Sequence, residues 1–311
     1  MTVLVTGAGL IGTNTARLLL DQGAGVCLYD PNPSPSYIQS VVGADRKLLY
    51  VERGDTRDFA NIVEVMRRRG VTRILHTGGV LATRVDENPY QAFQSNVLGT
   101  LNAIEAARLH GLARVVFISS RQATLMDRSS EGAPFPIPDT LYGTYNAMTE
   151  LLGLAYQRLN GVNVIVIRPP GVYGYGEFAG GARYGTAIQD LLVHALRQPG
   201  EPFPVAIPGA ERVYAKDLAQ AVKEAIFVEQ PTTRIYDIGS GELVDSENLA
   251  TAINATIPGA RAIPAPPEAG RQDIVDTTPA KRDLKYEPQW PLSRSIPDYV
   301  GDLRARLALA G

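Results

Sequence analysis

Three glycines near the start of the chain, Gly7, Gly9 and Gly12 in VLVTGAGLIG, stand in G-x-G-x-x-G spacing. A side chain at such positions would keep a pyrophosphate away from the backbone N–H groups at a helix N-terminus, so glycine is what this chemistry requires. With the intervening Leu10 and Ile11, these residues are the candidate contacts to a dinucleotide. The spacing alone is weak evidence. It gains weight because an apolar strand pattern precedes it, a helical pattern follows it, and Asp30 closes the next apolar run 18 positions after Gly12. A carboxylate there accepts hydrogen bonds from the adenosine ribose hydroxyls and repels a 2′-phosphate, so NAD is expected rather than NADP.

The elements that must position these groups alternate through the first half of the chain. Strand patterns cover Val3–Thr6, Gly25–Tyr29, Leu48–Val51, Arg73–His76, Arg114–Ser119 and Asn163–Ile167. Helical patterns cover Leu10–Gln22, Asp58–Arg69, Pro89–His110 and Tyr142–Leu159. Nearly continuous apolar runs such as RVVFIS and VNVIVI are expected where helices cover both faces of a sheet. The alternation predicts a doubly wound parallel α/β sheet of Rossmann type. After Arg168 the texture changes. RPPGVYGYGEFAGGARYG has no period, and EPFPVAIPGA and RAIPAPPEAGR are proline-rich and read as loops, interrupted by helices near Thr186–Arg197 and Ala215–Glu229. IYDIGSG reads as a strand returning to the sheet. The expected division is a dinucleotide-binding domain of residues 1–168 plus 213–239, and a smaller substrate-binding domain of 169–212 plus 240–311, with the active site in the cleft between them.

Composition narrows the partners. Among 311 residues, 30 Lys plus Arg face 32 Asp plus Glu, leaving no basic excess for a phosphate backbone, so nucleic acid is not expected. The single cysteine, Cys27, excludes an internal disulfide, and with three histidines a Cys/His zinc site is not expected. No apolar run approaches a membrane span, and MTVLVTGAG reads as a strand rather than a targeting signal, so a cytoplasmic protein is expected.

On these residues the chain resembles the extended short-chain dehydrogenases/reductases, the NAD-dependent epimerase/dehydratase group that acts largely on nucleotide sugars. RGDTRD resembles the family's G-D-x-x-D segment, which implies that Asp55, with Thr56 beside it, reaches the adenine. ILHTGG stands where the family has H-x-A-A, and SNVLGT matches N-V-x-G-T with Asn96. FISSRQAT matches the segment whose catalytic hydroxyl falls on Ser120, followed by Arg121 as a candidate substrate contact. LYGTYNAMTELL matches the Y-x-x-x-K helix and makes Tyr142 the catalytic tyrosine; RPPGVYGYG, YDIGSGE and DTTPAKRDLKYEP match later segments. The resemblance also implies a homodimer formed through the helices Pro89–His110 and Tyr142–Leu159.

Four departures bear on function. The glycine loop is one residue shorter than T-G-x-x-G-x-x-G. The lysine of Y-x-x-x-K is Asn146, and no tyrosine in the chain has a lysine four residues later. Gly171 replaces an asparagine that often holds a sugar. Ala210 stands where an arginine is usual, with Arg212 two residues on, whereas Arg271 matches a position that commonly contacts a nucleotide sugar's pyrophosphate.

In the family mechanism the tyrosine exchanges a proton with a substrate hydroxyl or carbonyl. Tyr142 and Asn146 are four apart and share a helix face, so residue 146 can touch the nicotinamide ribose while Tyr142 reaches the substrate. Ser120, ending the fifth strand, can steady the substrate oxygen as charge develops. A free tyrosine with pKa near ~10 is a poor base at neutral pH, and asparagine supplies no charge to lower it. Plainer readings stand beside these. Tyr145, Tyr173, Tyr175 and Tyr184 either line a pocket or pack loops; His76 is read as a hydrogen-bonded structural histidine, Lys216 as a solvated helix-start residue, Cys27 as core, and Arg67–Arg69 as a helix end. Two functions are expected to compete: an NAD-dependent epimerase or dehydrogenase acting on a sugar-like small molecule, and an NAD-binding sensor or scaffold with little catalysis.

Overall fold

The near-continuous apolar runs become parallel strands, each followed by a segment that returns across a sheet face. In the computed structural model, which describes residues 1–44, 46–126, 137–176, 185–266 and 273–309, the first six strands are β1 (Thr2–Thr6), β2 (Gly25–Asp30), β3 (Leu49–Arg53), β4 (Val71–His76), β5 (Arg114–Ile118) and β6 (Val164–Arg168). Then come β7 (Gly171–Tyr173), β8 (Pro202–Val205), β9 (Ala210–Tyr214), β10 (Ile235–Asp237), β11 (Leu243–Val244) and β12 (Arg261–Pro264). Seven strands form one parallel sheet in the order β10-β6-β5-β4-β1-β2-β3, so the expected Rossmann-type doubly wound sheet is present and IYDIGSG does return to it. The order reverses at β1, which places the glycine loop at the switch point where such sheets bind ligands.

The helices are α1 (Leu10–Asp21), α2 (Pro35–Val42), α3 (Phe59–Arg69), α4 (Ala82–Glu87), α5 (Pro89–Phe93), α6 (Gly99–Leu109) and α7 (Leu141–Asn160). They continue with α8 (Gly185–Arg197), α9 (Ala215–Phe227), α10 (Ser246–Thr256), α11 (Thr278–Leu284) and α12 (Leu292–Leu309). Among the described residues no helix is long and apolar enough to cross a membrane. The single helix expected over Pro89–His110 is interrupted: a π turn at Gln94–Leu98 separates α5 from α6. Helix α3 ends on Arg67, Arg68 and Arg69 before Gly70 in the left-handed region, and Arg68 and Arg69 clasp Glu52, in keeping with a helix end.

Strand alternation sorts the core onto two faces. Val3 and Val5 of β1 pack with Leu19 of α1 and Leu218 and Val222 of α9, while Leu4 packs on the opposite face with Cys27, Ile62, Met66, Ile104 and Phe117. Cys27 is fully buried, and burial pushes its thiol up to about 12, as a core cysteine requires. A third core joins Tyr173, Leu192, Phe203, Val205, Leu249, Ile253 and Tyr299, and Tyr37 and Val41 of α2 reach into it.

The proline-rich stretches correct the sequence reading. EPFPVAIPGA and RAIPAPPEAGR each contain a strand, and β8 and β12 pair in parallel with Phe203 opposite Ala262. Phe203 and Val205 point inward while Pro202 and Pro204 face out, so proline, which has no N–H to donate, occupies an edge where none is needed. A third sheet, β11-β9-β7, carries β9 across position 213, the expected start of the returning segment.

Candidate active and cofactor site

The glycine loop is shaped by the absence of side chains. Gly7 has φ +90°, and its N–H donates to the Tyr29 carbonyl at 2.8 Å, tying the loop to β2. A Cβ on Gly12 would lie 2.0 Å from the Gly7 carbonyl oxygen, whereas one on Gly9 would meet nothing within 4 Å. Gly9 therefore borders open space, and Gly12 lets α1 press on the loop. Gly9 caps α1 without any side-chain bond, and Thr13 N–H makes the bond back to the Gly9 carbonyl at 2.9 Å. The N–H groups of Leu10, Ile11 and Gly12 precede that bond, the arrangement in which helix N-terminal donors receive an anion. These residues fit a dinucleotide pyrophosphate. Gly12→Ala is expected to remove measurable NAD binding and to lower the melting temperature, because the clash is with backbone; calorimetric titration and thermal unfolding read the two effects.

Asp30 ends β2 beside this loop. Its Oδ2 accepts from Ala8 N–H at 2.9 Å and its Oδ1 from Asn32 N–H at 2.8 Å, so the carboxylate is aimed by backbone on both sides. Asp55 is held by Arg57 through several contacts, the shortest 2.6 Å, and this guanidinium lowers the carboxyl pKa. Thr56 packs beneath Gly99, where a Cβ would approach its Oγ1 to 2.6 Å. Asn96, in the π turn, clamps the backbone after β4: its Oδ1 accepts from Val80 N–H at 2.7 Å and its Nδ2 donates to the Val80 carbonyl at 2.9 Å. Helical periodicity in the sequence carries no sign of the π turn in which this residue lies. His76 is buried with Nδ1 2.7 Å from Thr6 Oγ1 and Nε2 3.1 Å from Thr100 Oγ1. Because Thr100 already donates to the Asn96 carbonyl at 2.6 Å, it accepts from His76 Nε2–H, and Nδ1 accepts from Thr6. Burial holds its pKa down to about 4, so it is a neutral structural histidine.

Ser120 follows β5 and caps the short 3₁₀ turn Arg121–Thr124, its Oγ accepting from Gln122 N–H at 3.2 Å. Tyr142 opens α7, half-buried against Tyr145, Val85 and Val97, with the Thr140 side chain capping the helix. Asn146 is buried one turn on, and its Nδ2 donates to the Tyr142 carbonyl at 2.8 Å. Burial raises the Tyr142 pKa, while Asn146 and Ser120, facing the phenol, pull it back. The three candidate catalytic residues are therefore together, and the groups acting on the phenol are neutral.

Sequence reasoning missed what holds α7 in place. Glu150, two turns after Tyr142 on the same face, is buried; Ser119 Oγ donates to its Oε1 at 2.5 Å and Arg168 Nε donates to the same oxygen at 2.7 Å. Arg168 Nη2 completes a bidentate pair with Oε2. The i, i+4, i+8 spacing of Tyr142, Asn146 and Glu150 was the available signal; the partners on β5 and β6 were not visible in it.

The candidate substrate contacts are less uniform. Arg121 is turned to Asp273, which it contacts through both the carboxylate and the carbonyl, the latter at 2.8 Å, and it lies 3.9 Å from buried Glu211. Gly171 is exposed at the start of β7, where a Cβ would touch Arg212 Cγ at 3.3 Å. Arg212 itself is buried and donates to the carbonyls of Val244, Pro208 and Ala210 at 2.5, 3.0 and 3.3 Å, so its out-of-register position serves the fold. Arg271 and Tyr184 lie outside the described residues. Tyr145, Tyr173 and Tyr175 are packing residues: Tyr145 donates to the Pro89 carbonyl at 3.1 Å, Tyr173 pairs with Ser295 at 2.6 Å, and Tyr175 is buried against Tyr37. Lys216 is not the solvated residue expected; its Nζ is 2.5 Å from Asp298 and 3.6 Å from Asp302, and it lies over Trp290.

A parallel sheet with a glycine loop at its switch point, and a tyrosine helix beside a serine at the end of β5, define a dinucleotide-binding class of protein. The profile of the NAD-dependent epimerase/dehydratase family matches residues 3–239, and the chain belongs to that family. NAD is its cofactor. The chain is 31% identical over 188 residues to a 3β-hydroxysteroid dehydrogenase/Δ5→4-isomerase of Mycobacterium tuberculosis, covering 56% of this chain and 48% of that one, so it spans about half the length of that relative. It is 26% identical over 331 residues to the UDP-glucose 4-epimerase of Schizosaccharomyces pombe, covering 95% and 90%. The solved UDP-glucose 4-epimerase of Thermus thermophilus in complex with NAD superposes with a TM-score of 0.78 at 25% identity, covering 98% and 99% of the two chains.

Proposed function

We propose that the chain is an NAD-dependent oxidoreductase acting at a hydroxyl-bearing or ketone carbon of a sugar-like small molecule, in the manner of an epimerase or dehydrogenase. The observation that carries this reading is the meeting of Tyr142 and Ser120, 22 residues apart in sequence, over the C-terminal end of β5. When bound, NAD takes or returns the hydrogen of the reacting carbon with its electron pair. Tyr142 takes up or gives the hydroxyl proton, Ser120 donates to the substrate oxygen, and Asn146 offers a hydrogen bond without charge. Proton donation by the neutral phenol suffers less from the missing lysine than proton abstraction does. The test is the absorbance of reduced nicotinamide in the purified, NAD-loaded protein on addition of nucleotide sugars and of free sugars and sugar alcohols. Reduction by a member of either group, or recovery of an epimerised sugar from the mixture, supports the reading; NAD that stays oxidised with no epimerised product from any of them favours the alternative, an NAD-binding sensor or scaffold, to which Asn146 lends its support.

A homodimer fits the same frame. Leu141, Met148, Leu151 and Leu159 form an exposed apolar stripe along α7, with Leu151 at 69% and Leu159 at 70% exposure, and Tyr90, Phe93, Leu98 and Leu109 are exposed on the neighbouring α5–α6 helix. Stripes of this kind mark interfaces, and two such helices from each copy would bury each other as a four-helix bundle. Light scattering is expected to show a dimer, and Leu151→Glu with Leu98→Glu to give a folded monomer. A parent protein that is already monomeric would defeat the assignment.

A further inference from the structure

Beside Asp30, at the expected ribose end of the cofactor site, stands an arginine that forms no ion pair among the described residues. Arg53 ends β3 and is the register partner of Asp30 across the β2–β3 pair. Its Nε donates to the Pro31 carbonyl at 2.9 Å and its Nη2 to Asn32 Oδ1 at 3.4 Å. Asn32 N–H in turn donates to Asp30 Oδ1 at 2.8 Å, and Gly54 N–H donates to the Asp30 carbonyl at 3.0 Å. Arg53 thus braces the turn that aims the discriminating carboxylate. Nearby Arg57, Arg68 and Arg69 each pair with a carboxylate, but Arg53 is exposed and makes no ion pair among the described residues. Its charge is available to an incoming anion, and a guanidinium presents a planar fork of donors suited to phosphate.

We infer that Arg53 is a specificity-determining residue with two opposed effects. While Asp30 is present, Arg53 holds the turn that directs its carboxylate at the ribose 2′ position, and a 2′-phosphate is repelled. Once the Asp30 charge is removed, Arg53 is the cation that receives the 2′-phosphate. The same site therefore holds a rejecting group and a latent accepting group on adjacent strand ends, and the carboxylate decides between the two dinucleotides.

The experiment is calorimetric titration of NAD and NADP into the full chain and into Asp30→Ala, Asp30→Asn, Arg53→Met and the two double variants. Asp30→Asn keeps a hydrogen-bonding side chain in the turn, and so separates loss of charge from loss of shape. NADP affinity is expected to rise roughly tenfold or more in Asp30→Ala and Asp30→Asn, and to fall back by roughly tenfold when Arg53→Met is added, the effect of one partly screened charge contact. That second loss should shrink in high salt, and NAD affinity should change little between each single Asp30 variant and its double. Equal NADP affinity with and without Arg53 in both Asp30 backgrounds would overturn the inference. So would a parallel loss of NAD and NADP, which would mean that Arg53 only braces the turn, or the absence of any NADP gain in either Asp30 variant.

Discussion

Tyr142→Phe is expected to remove nearly all turnover while leaving NAD affinity nearly unchanged. The phenol is a proton-exchanging group that the structure brings to Ser120, and its ring is packed against Tyr145, Val85 and Val97, so phenylalanine preserves the packing and removes only the oxygen. A positioned general acid or base contributes about 10²–10⁴-fold in rate, and a loss of that order in kcat/KM is the expected reading. Steady-state kinetics in both reaction directions, with NAD binding followed by titration, separates chemistry from cofactor loss. Activity that survives the change would move proton transfer to another residue.

Asn146→Lys is expected to shift the pH profile of alcohol oxidation downward. Oxidation needs the phenolate, burial raises the Tyr142 pKa, and its facing groups are neutral, so oxidation by the parent protein should keep rising well above neutral pH. An ammonium about 4 Å from the phenol at an effective dielectric of ~20 favours phenolate by roughly 4 kcal/mol, close to three pKa units. Glu150 lies one further turn along the same face and would partly neutralise a new lysine, even though Arg168 and Ser119 already engage it. The profile should therefore move by about one to three units, with the lower part of that range favoured by Glu150. Reduction, which uses the protonated phenol, should gain less at neutral pH. A profile indifferent to the substitution would mean that another group sets the charge at this phenol.

The parts of this molecule legible in its sequence are those where local pattern and chemistry coincide. The glycine spacing, the strand before it, the acid at the end of β2 and the alternating strands all carry their own signals, because each is set by neighbours a few positions away. Tyr142 and Ser120 were legible only through resemblance to a family. What could not be read depends on contacts distant in sequence. The π turn that carries Asn96, whose side chain bonds Val80, leaves the helical period nearly intact, so nothing local announces it. Glu150 looks like an ordinary helix residue until Ser119 and Arg168 are seen beside it, and Lys216 looks solvated until α12 brings Asp298 across. The strands in the proline-rich stretches were hidden for another reason: proline usually signals a loop, and only the edge position of β8 and β12 makes it compatible with pairing.

The order of the large sheet bears on how the gene for this chain can be cut and still yield a protein. A fragment ending at Arg168 would keep the glycine loop, Asp30, Ser120 and Tyr142, and on a motif map would look like a self-sufficient nucleotide module. It would lose β10, leaving the apolar strand β6 as a bare edge, and α9, whose Leu218 and Val222 cover β1. It would also uncover Tyr37 and Val41 of α2, which are buried in the other core. An unpaired hydrophobic edge is a template for strand addition between molecules, so such a fragment would aggregate rather than bind cofactor. Modularity read from motifs and modularity of the folded chain are different things here, and an expression library built on the first would discard the second.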